Sequence, residues 1–494
     1  MVLPPFTRAI RVDAMKSDSQ KTSSFANAKT VLKSQIAEVT EDLRDAKNAI
    51  RRLEIKIEPI DVLSWLGAQK AKNKVYWSSR DGSFETGGIG LAYALHGTNV
   101  VDCDAILTEL ERYFCAENKH LKFFGGISFG KNSAGKEWEA FGSYRFVLPQ
   151  FEISRRGIET FFACNLYSDT AKRDGFTALL KELDTLDIKI RSDEPFPPSV
   201  QSRADEPNVK DWQSSVKKAL LEIEKGTLEK VVLARRSIFS FNQPLDALLA
   251  LKRLKEISPE CFHFCFAPDE GLAFIGASPE RLYKREGRMV STEALAGTRP
   301  RGTTSAQDED LKNDLLTSNK EREEHFFVIN FLKSALGDLC SSLSVDPNVG
   351  VLSLSGGHHL LTFIEGSLNK GVDDALLLKS LHPTPAVCGA PGEKAIKIIS
   401  ANEPFKRGWY AGAIGFIGQE ETEFAVSIRC GLINQNKLFL FAGAGIVAGS
   451  NPEEEWEEIE TKLASFTKIF ENRTIVNKQL LNADSRGLHA DGRG

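Results

Sequence analysis

The sequence lacks the features that place a chain in a membrane, on nucleic acid or around a zinc ion. No apolar run approaches the roughly 20 residues that a membrane-spanning helix requires. A net charge of −4 does not favour nucleic acid as the main partner. The eight cysteines include no CxxC pair, and their scatter suggests reduced thiols in a cytosol or a plastid stroma. These absences predict a soluble protein without a structural zinc site.

What the chain does have is enough apolar material for a large core. Of the 494 residues, 41% are hydrophobic and 26% are charged, which suits one big domain or two. Residues 1–22 show no hydrophobic periodicity and are interpreted as a disordered segment or a targeting or fusion remnant. Over residues 23–57, a 4-3 spacing that includes Leu32, Ile36, Val39 and Leu43 predicts an amphipathic helix packed on its own domain. A coiled-coil dimer is the alternative.

Beyond this helix, helical and strand patterns alternate without regular βαβ order, which predicts an α+β fold. Residues 58–205 are interpreted as the N-terminal part of the core, and residues 206–475 as the region that carries the candidate site. The stretch 191–209, rich in Pro, Ser, Asp and Glu, predicts an exposed connection. The polar tail, residues 476–494, is expected to be disordered.

One predicted helix concentrates acidic residues on a single face. Glu455, Glu458 and Lys462 stand at i, i+3 and i+7, just after a glycine-rich turn predicted at 443–445. Two such carboxylates can hold a hard divalent cation, and the lysine can meet an anion that the cation also holds. The alternative is a solvated acidic helix start, since acidic residues suit a helix N-terminus.

Seven segments, in order along the chain, resemble the chorismate-utilising enzymes, and the acidic helix completes the set. The match covers roughly residues 206–470, and more loosely 60–205. The Thr-Arg-Pro-Arg extension at 298–301 and the unbroken run 382–389 are similar to isochorismate synthases of the plant type. The seven segments are Lys230–Arg235, Ser278–Leu282, Thr292–Pro300, Leu381–Gly389, Trp409–Gly412, Ser427–Arg429 and Ala442–Val447.

The resemblance implies an α+β fold of two packed α/β halves with large, mostly antiparallel sheets and the active site between them. It implies Mg²⁺ as cofactor and chorismate as substrate, isomerised reversibly to isochorismate as water adds at one ring carbon and hydroxide leaves another. It further implies a plastid location, with the cytoplasm as the alternative, and a product used for phylloquinone, menaquinone or salicylate. We expect a monomer without a nucleic-acid or membrane partner.

The resemblance assigns the acid–base chemistry to two residues. Lys230 matches the family's base, which requires its pKa, normally ~10.4, to fall through burial or nearby cations. Glu280 matches the acid, which requires a raised pKa. The alternatives are a strand-edge lysine that keeps the sheet soluble and a glutamate paired with Arg281. Relatives that deliver ammonia typically carry glutamine at the position of Lys230, so the lysine favours water as the nucleophile.

The remaining matches concern metal and substrate binding. Glu324 and Glu458 match the metal ligands with Glu455 beside them, although Glu324 could be one more charge on an exposed helix. Arg429 and Tyr410 match the clamp on the enolpyruvyl carboxylate, and Lys462 and Gly445 complete that anion site. Gly297 and Thr298 match a turn that lines the substrate pocket. His359 matches a histidine of that pocket; a core histidine is the alternative, and adjacent His358 leaves the register open. These substrate-binding candidates are Arg429, Tyr410, Lys462, Gly445, Gly297, Thr298 and His359.

Other readings of the same residues remain open. A salicylate synthase would isomerise chorismate and then eliminate pyruvate, and the lysine and acidic set cannot separate it from an isochorismate synthase. An anthranilate or aminodeoxychorismate synthase subunit needs ammonia, but the chain has no Gly-x-Cys-x-Gly nucleophile. A nucleotide-binding module is disfavoured because Gly443, Gly445 and Gly449 depart from G-x-G-x-x-G and precede an acidic helix. A catalytically inactive interaction protein lacks support, since every expected catalytic residue type is present.

Overall fold

Two large antiparallel sheets, flanked by helices, form the computed structural model of this chain. The structure describes residues 22–130, 135–168, 173–188 and 198–470. The predictions for residues 1–21 and 471–494, and for the first part of the 191–209 connection, therefore lie outside the described residues. In chain order the strands are β1 (Ile50–Ile57), β2 (Lys74–Ser78), β3 (Phe84–Ile89), β4 (Tyr93–Gly97), β5 (Lys122–Ile127), β6 (Tyr144–Leu148), β7 (Phe151–Arg156), β8 (Glu159–Tyr167), β9 (Val200–Glu206), β10 (Lys230–Phe241), β11 (Phe262–Asp269), β12 (Leu272–Ser278), β13 (Arg281–Glu286), β14 (Met289–Arg299), β15 (Cys340–Val345), β16 (Gly350–Leu354), β17 (Gly357–Leu368), β18 (Gly389–Ala390), β19 (Ala413–Gly418), β20 (Glu421–Val426), β21 (Cys430–Asn434) and β22 (Lys437–Ile446).

The helices pack on the outer sides of this framework and at its ends. Most begin at a side-chain cap, as α11 does at Asn451, whose side chain accepts from the N–H groups of Glu453 and Glu454. In chain order they are α1 (Phe25–Asp45), α2 (Val62–Ala68), α3 (Cys103–Glu111), α4 (Arg173–Thr185), α5 (Val209–Glu224), α6 (Ala247–Ile257), α7 (Ser305–Thr317), α8 (Asn319–Gly337), α9 (Asp374–Leu381), α10 (Gly392–Asn402) and α11 (Pro452–Thr467).

The topology confirms the predicted α+β class with large antiparallel sheets. The first sheet has twelve strands in the order β1-β8-β7-β3-β2-β11-β12-β21-β22-β10-β18, and β9 also pairs with β10. The second sheet has ten strands in the order β15-β17-β14-β13-β20-β19-β5-β6-β4, and β16 pairs with β17. Strands from before residue 205 enter both sheets, so the N-terminal part of the chain helps to build the whole framework.

The predicted N-terminal helix is correct at its start and wrong beyond residue 45. Ser24 caps α1, and Leu32 and Ile36 are fully buried, so the apolar stripe packs within its own chain. Residues 50–57 instead form β1, which pairs along its whole length with β8. Leu53, Ile55 and Ile57 alternate with charged residues, and this period of two is that of a strand. The fit of Ile50 and Leu53 to the helical spacing is a coincidence of short windows.

Two crossovers between the sheets determine where the site lies. The chain leaves β12 of the first sheet and enters β13 of the second through Pro279 and Glu280, and it returns from β20 to β21 through residues 427–429. The crossovers are hydrogen-bonded to each other. The N–H of Val426 donates to the carbonyl of Glu280 at 3.0 Å, and the N–H of Ala277 donates to the carbonyl of Arg429 at 3.1 Å. Residues from both sheets therefore meet at this junction.

Candidate active site

A cavity of about 240 Å³ lies at the junction of the two sheets, and every predicted site residue lines it. The first sheet contributes Lys230 at the start of β10 and Gly445 in β22, and β14, β17, α8 and α11 contribute seven more residues. The remaining three lie in connections: Glu280 and Arg429 in the two crossovers, and Tyr410 between α10 and β19. The structure thus brings together residues that are up to 232 positions apart, from Lys230 to Lys462. A larger cavity of about 940 Å³ lies beside α10 and residues 403–407, and it contains none of the predicted residues.

Lys230 is buried, and its ammonium group donates to Glu324 Oε1 at 2.6 Å. It is not at a free sheet edge, because it pairs with Ala390 of β18 while the next residue pairs with β22. Gly445 gives its side chain room, since a Cβ at position 445 would lie 2.9 Å from Lys230 Cε. Gly443 and Gly445 lie within strand β22, so the turn predicted at 443–445 is wrong.

Glu280 is buried in the first crossover and faces the same cavity. Burial, reinforced by the nearby charge of Glu293 and opposed by Lys230, raises the pKa of Glu280 to about 8. The alternative pairing with Arg281 is wrong, because the Arg281 guanidinium bonds the carboxylate of Glu423 at 3.1 Å. Glu280 is therefore an acid that keeps its proton near neutral pH.

Arg429 and His359 form a cationic corner of the cavity. Arg429 Nη2 lies 3.1 Å from His359 Nε2, and because a guanidinium only donates, Nε2 accepts and the proton of the neutral ring is on Nδ1. His359 Nδ1 donates to the carbonyl of Gly297 at 3.2 Å, and burial, with the charge of Arg429, lowers the pKa of His359 to about 3. The neighbouring His358 instead bonds Asp308 and Ser353, which resolves the register in favour of His359.

Arg429 has no acidic partner among the described residues, and its buried Nη1 has no hydrogen-bond partner there. Its backbone has a φ of 47°, a left-handed conformation that is uncommon for residues other than glycine, asparagine and aspartate. A buried guanidinium without a counterion, held in this way, is a preformed place for an anion, and a carboxylate fits it bidentately.

The rest of the predicted binding set surrounds this corner. Tyr410 is buried and stacks on Phe441 with ring centroids 5.2 Å apart. Thr298 Oγ1 lies 3.1 Å from His359 Nδ1, and Gly297 adopts a φ of 75° that a side chain would strain. Lys462 donates to the carbonyl of Gly443 at 2.8 Å. Tyr410, Thr298 and Lys462 thus line the cavity together with Arg429 and His359.

A family model described as chorismate binding enzyme matches residues 34–471 of this chain. The chain belongs to this family. It is 33% identical over 496 aligned residues to the chloroplastic isochorismate synthase of Catharanthus roseus, covering 90% of this chain and 85% of that protein. It is also 33% identical over 344 residues to anthranilate synthase component 1 of Aquifex aeolicus, covering 67% and 65% of the two chains. Among solved structures, the menaquinone-specific isochorismate synthase MenF of Escherichia coli superposes with a TM-score of 0.79 at 30% identity, covering 89% of this chain and all of MenF.

Three carboxylates of this chorismate binding enzyme line the same cavity: those of Glu324, Glu455 and Glu458. Glu324 of α8 is bonded to Lys230, whose attraction outweighs burial and lowers the pKa of Glu324. On α11, Glu458 pairs with Lys462 at 2.6 Å, and Glu455 accepts from Ser450 Oγ at 2.8 Å. Burial, together with the charge of Glu458, raises the pKa of Glu455 against that hydrogen bond. The surroundings of Glu455 therefore disfavour its ionised form.

These carboxylates are the right ligand type for a hard divalent cation. Within the described ranges, no three side chains of His, Cys, Asp and Glu come close enough to form a ready-made metal cluster. Mg²⁺ seldom requires one, because it is commonly held by one or two carboxylates, waters and the substrate. Glu324, Glu455 and Glu458 fit that requirement, and two of them are paired with lysines that a cation could displace.

Sequence reasoning missed a residue that shapes the pocket. The Glu321 carboxylate accepts from the Thr298 N–H at 3.1 Å and from Arg299 Nη1 at 2.7 Å, and it fixes the end of β14 to the start of α8. Gly297 and Thr298 belong to that strand, at an irregularity in its pairing with β17, so the predicted turn there is wrong. Nothing in the run Lys320 to Glu324 distinguishes this glutamate from its acidic neighbours. Only the pairing of α8 with the end of β14 reveals its role.

None of the helices in the described part of the chain is long and apolar enough to cross a bilayer.

Proposed function

We propose that this chain is an isochorismate synthase that converts chorismate reversibly to isochorismate with Mg²⁺ as cofactor. The observation that carries the proposal is the meeting of Lys230, protonated Glu280 and Arg429 in one cavity at the sheet junction. Arg429 has no acidic partner among the described residues. The names of the plant and bacterial relatives agree with it. Lysine in place of glutamine at position 230 favours water over ammonia as the nucleophile, and so favours this activity over anthranilate synthesis.

The proposed reaction requires one proton to be removed and one to be supplied. Lys230, in its neutral form, takes a proton from the attacking water as the new C–O bond forms and the ring double bonds shift. Glu280 gives its proton to the departing hydroxyl, which leaves as water. Water enters and water leaves, so the net change is an isomerisation. The buried carboxyl with its raised pKa suits the donor role, since it holds its proton until a base develops beside it.

Substrate placement follows from the charges that line the cavity. Arg429 would bind one carboxylate of chorismate, with Tyr410 and Lys462 as further donors. Glu324, Glu455 and Glu458 would hold the Mg²⁺, which neutralises the ring carboxylate and fixes it in place. His359, neutral and donating to Gly297, would orient Arg429 rather than add charge.

The ion pair between Lys230 and Glu324 links metal binding to the proposed base. Lys230 Nζ contacts Glu324 Oε1 at 2.6 Å, and Glu324 is also one of the carboxylates that would hold the cation. The same carboxylate would therefore serve both the proposed base and the metal site.

We infer a plastid location from the chloroplastic relative, a product used for phylloquinone, menaquinone or salicylate, and a monomeric state. Imaging of a C-terminally tagged full chain in plant cells tests the location, and a diffuse cytoplasmic signal would contradict it. Light scattering tests the monomer, which at 54.6 kDa is readily told from a dimer.

Product analysis tests the activity itself. The purified chain is incubated with chorismate and Mg²⁺, and the products are separated by chromatography, with EDTA in a parallel sample. Isochorismate without pyruvate, lost in EDTA, is the expected result. Salicylate with stoichiometric pyruvate would identify a salicylate synthase instead. No consumption of chorismate would refute the proposed function.

A further inference from the structure

A mostly buried arginine from the N-terminal half of the chain reaches the back of the Glu280 crossover. Arg80 lies in the connection 79–83 between β2 and β3, far in sequence from every residue that resembles the family's site. Its Nη1 and Nη2 contact Glu293 Oε1 and Oε2 at 2.6 and 2.7 Å, a bidentate pair. Glu293 belongs to β14 of the second sheet, so the pair connects the two sheets directly behind the proposed acid.

Both members of the pair also hold the peptide groups on either side of Glu280. Arg80 Nη1 donates to the carbonyl of Pro279 at 2.8 Å, and Glu293 Oε1 accepts from the N–H of Arg281 at 3.2 Å. The residue before Glu280 and the residue after it are therefore bonded to one ion pair. Such a clamp restricts the crossover backbone, and with it the direction in which the Glu280 side chain points.

The pair is buried, so its charges act at close range. The Arg80 side chain is 13% exposed and that of Glu293 is fully buried, while the Arg80 guanidinium packs 5.6 Å from the ring centre of Phe262. Removing one member of a buried, hydrogen-bonded pair leaves the other charge uncompensated, and this is felt by nearby titratable groups. Glu280 is such a group, since the charge of Glu293 acts on it directly.

We propose that Arg80 and Glu293 are positioning residues that fix the Glu280 carboxyl in the cavity and set the pH range over which it can act as an acid. The proposal rests on the proposed function, in which Glu280 is the proton donor. It gives residues 58–205 a part in the chemistry through one side chain, beyond their contribution to the two sheets. Neither residue lines the cavity, so neither is expected to contact the substrate.

The sign of the effect follows from the charges around Glu280. Lys230 from β10 and Arg429 from the second crossover share its cavity, while Glu293 and Arg80 lie behind it and Arg281 is balanced by Glu423. Glu293→Gln removes a negative charge and leaves the Arg80 cation unpaired, and both changes favour ionised Glu280. The acid must be protonated to act, so kcat, which falls as pH rises through the pKa of Glu280, should fall at lower pH in this variant.

The test compares pH profiles of kcat and KM for isochorismate formation in three proteins. The high-pH limb of the kcat profile is the range in which kcat declines as pH rises. Relative to the unaltered chain, Glu293→Gln should shift this limb to lower pH by about one pH unit or more. The double variant Arg80→Gln with Glu293→Gln removes both charges, so the limb should return toward its original position while kcat stays reduced by the lost clamp. KM should change little in either variant, because the pair does not contact the substrate.

The matched control is Asp374→Asn. Asp374 is 3% exposed and bonds Arg285 bidentately at 2.9 and 2.7 Å, but it does not line the cavity. This variant should lose thermal stability and keep the pH profile. If Glu293→Gln also loses stability without moving the limb, the pair is merely structural and the proposal is overturned, while the proposed function stands.

Arg80→Lys covers the case in which the other variants do not fold. A lysine keeps the charge but cannot donate in parallel to both Glu293 oxygens and to Pro279, so kcat should fall without a shift of the limb. Unchanged kcat in Arg80→Lys would also overturn the proposal. Absence of isochorismate from the unaltered chain would overturn the function and, with it, the role that the pair serves.

Discussion

Replacing Lys230 with glutamine separates the proposed base from the fold that holds it. The side chain is 8% exposed, it pairs with a Glu324 side chain that is 35% exposed, and Gly445 leaves room beside it. Glutamine is shorter, introduces no overlap and keeps a polar group toward Glu324. After allowance for solvent screening of the half-exposed partner, loss of the ion pair should cost at most ~1 kcal/mol of unfolding free energy.

The effect on catalysis should be much larger than the effect on stability. Removal of a general base typically lowers the rate by roughly 10²–10⁴-fold, which corresponds to about 3–5 kcal/mol in the activation free energy. The assay measures kcat for isochorismate formation by chromatography, and a thermal unfolding scan of the same protein measures stability. We expect kcat to fall by at least roughly 100-fold while the melting temperature moves by only a few degrees.

Lys122→Gln is the matched control for this prediction. Lys122 is 11% exposed and pairs at 2.7 Å with Glu421, which is 27% exposed, in the second sheet and outside the cavity. The control should show a similar small change in stability and almost full activity. Full activity of Lys230→Gln, or an equal loss of kcat in both variants, would refute the assignment of Lys230 as the base.

Three further predictions concern the acid, the metal and the glycine beside the base. Because Glu280 must be protonated and its pKa is about 8, kcat should decline as pH rises above about 8. If the residual activity of Glu280→Gln still declines over the same pH range, the decline belongs to another group. Glu458→Gln should raise the Mg²⁺ concentration needed for half-maximal activity at least several-fold, and an unchanged titration would remove Glu458 from the metal site. Gly445→Ala would place a Cβ 2.9 Å from Lys230 Cε and should lower kcat strongly. The control is Gly350→Ala, whose Cβ would meet nothing nearer than 3.7 Å and which should leave kcat unchanged. Equal effects of the two substitutions on kcat would contradict the account.

The sequence was sufficient to predict the fold class and which residues share a cavity. The matching segments include the ends of β10, β14 and β22 and both crossovers, and these are the places where the two sheets meet. Their order along the chain therefore carries information about contacts that no single segment holds. The acidic face of α11 follows from helical spacing alone, and the structure confirms the helix with its cap at Asn451.

The errors arose where a local pattern has two physical meanings. Apolar residues at 50 and 53 continue a helical stripe, but those at 53, 55 and 57 also alternate as in a strand, and pairing with β8 favours the strand. Glycines at 443 and 445 suggest a turn, yet they lie in β22 and pair with β10. These strand positions are glycine because Tyr410 and Lys230 occupy the space that a side chain would take. Arg80 and Glu293 could not be paired from sequence, since 213 residues separate them.

The most direct test of the central claim is the reaction in ¹⁸O-labelled water. The proposed chemistry adds a solvent water at one ring carbon and releases the original hydroxyl from another, with Lys230 and Glu280 handling the protons. Isochorismate formed in labelled water should therefore carry one ¹⁸O atom, located at the new hydroxyl, with the enolpyruvyl group intact. Unlabelled isochorismate would contradict water addition at this site, and salicylate with free pyruvate as the primary products would contradict the assignment of the reaction.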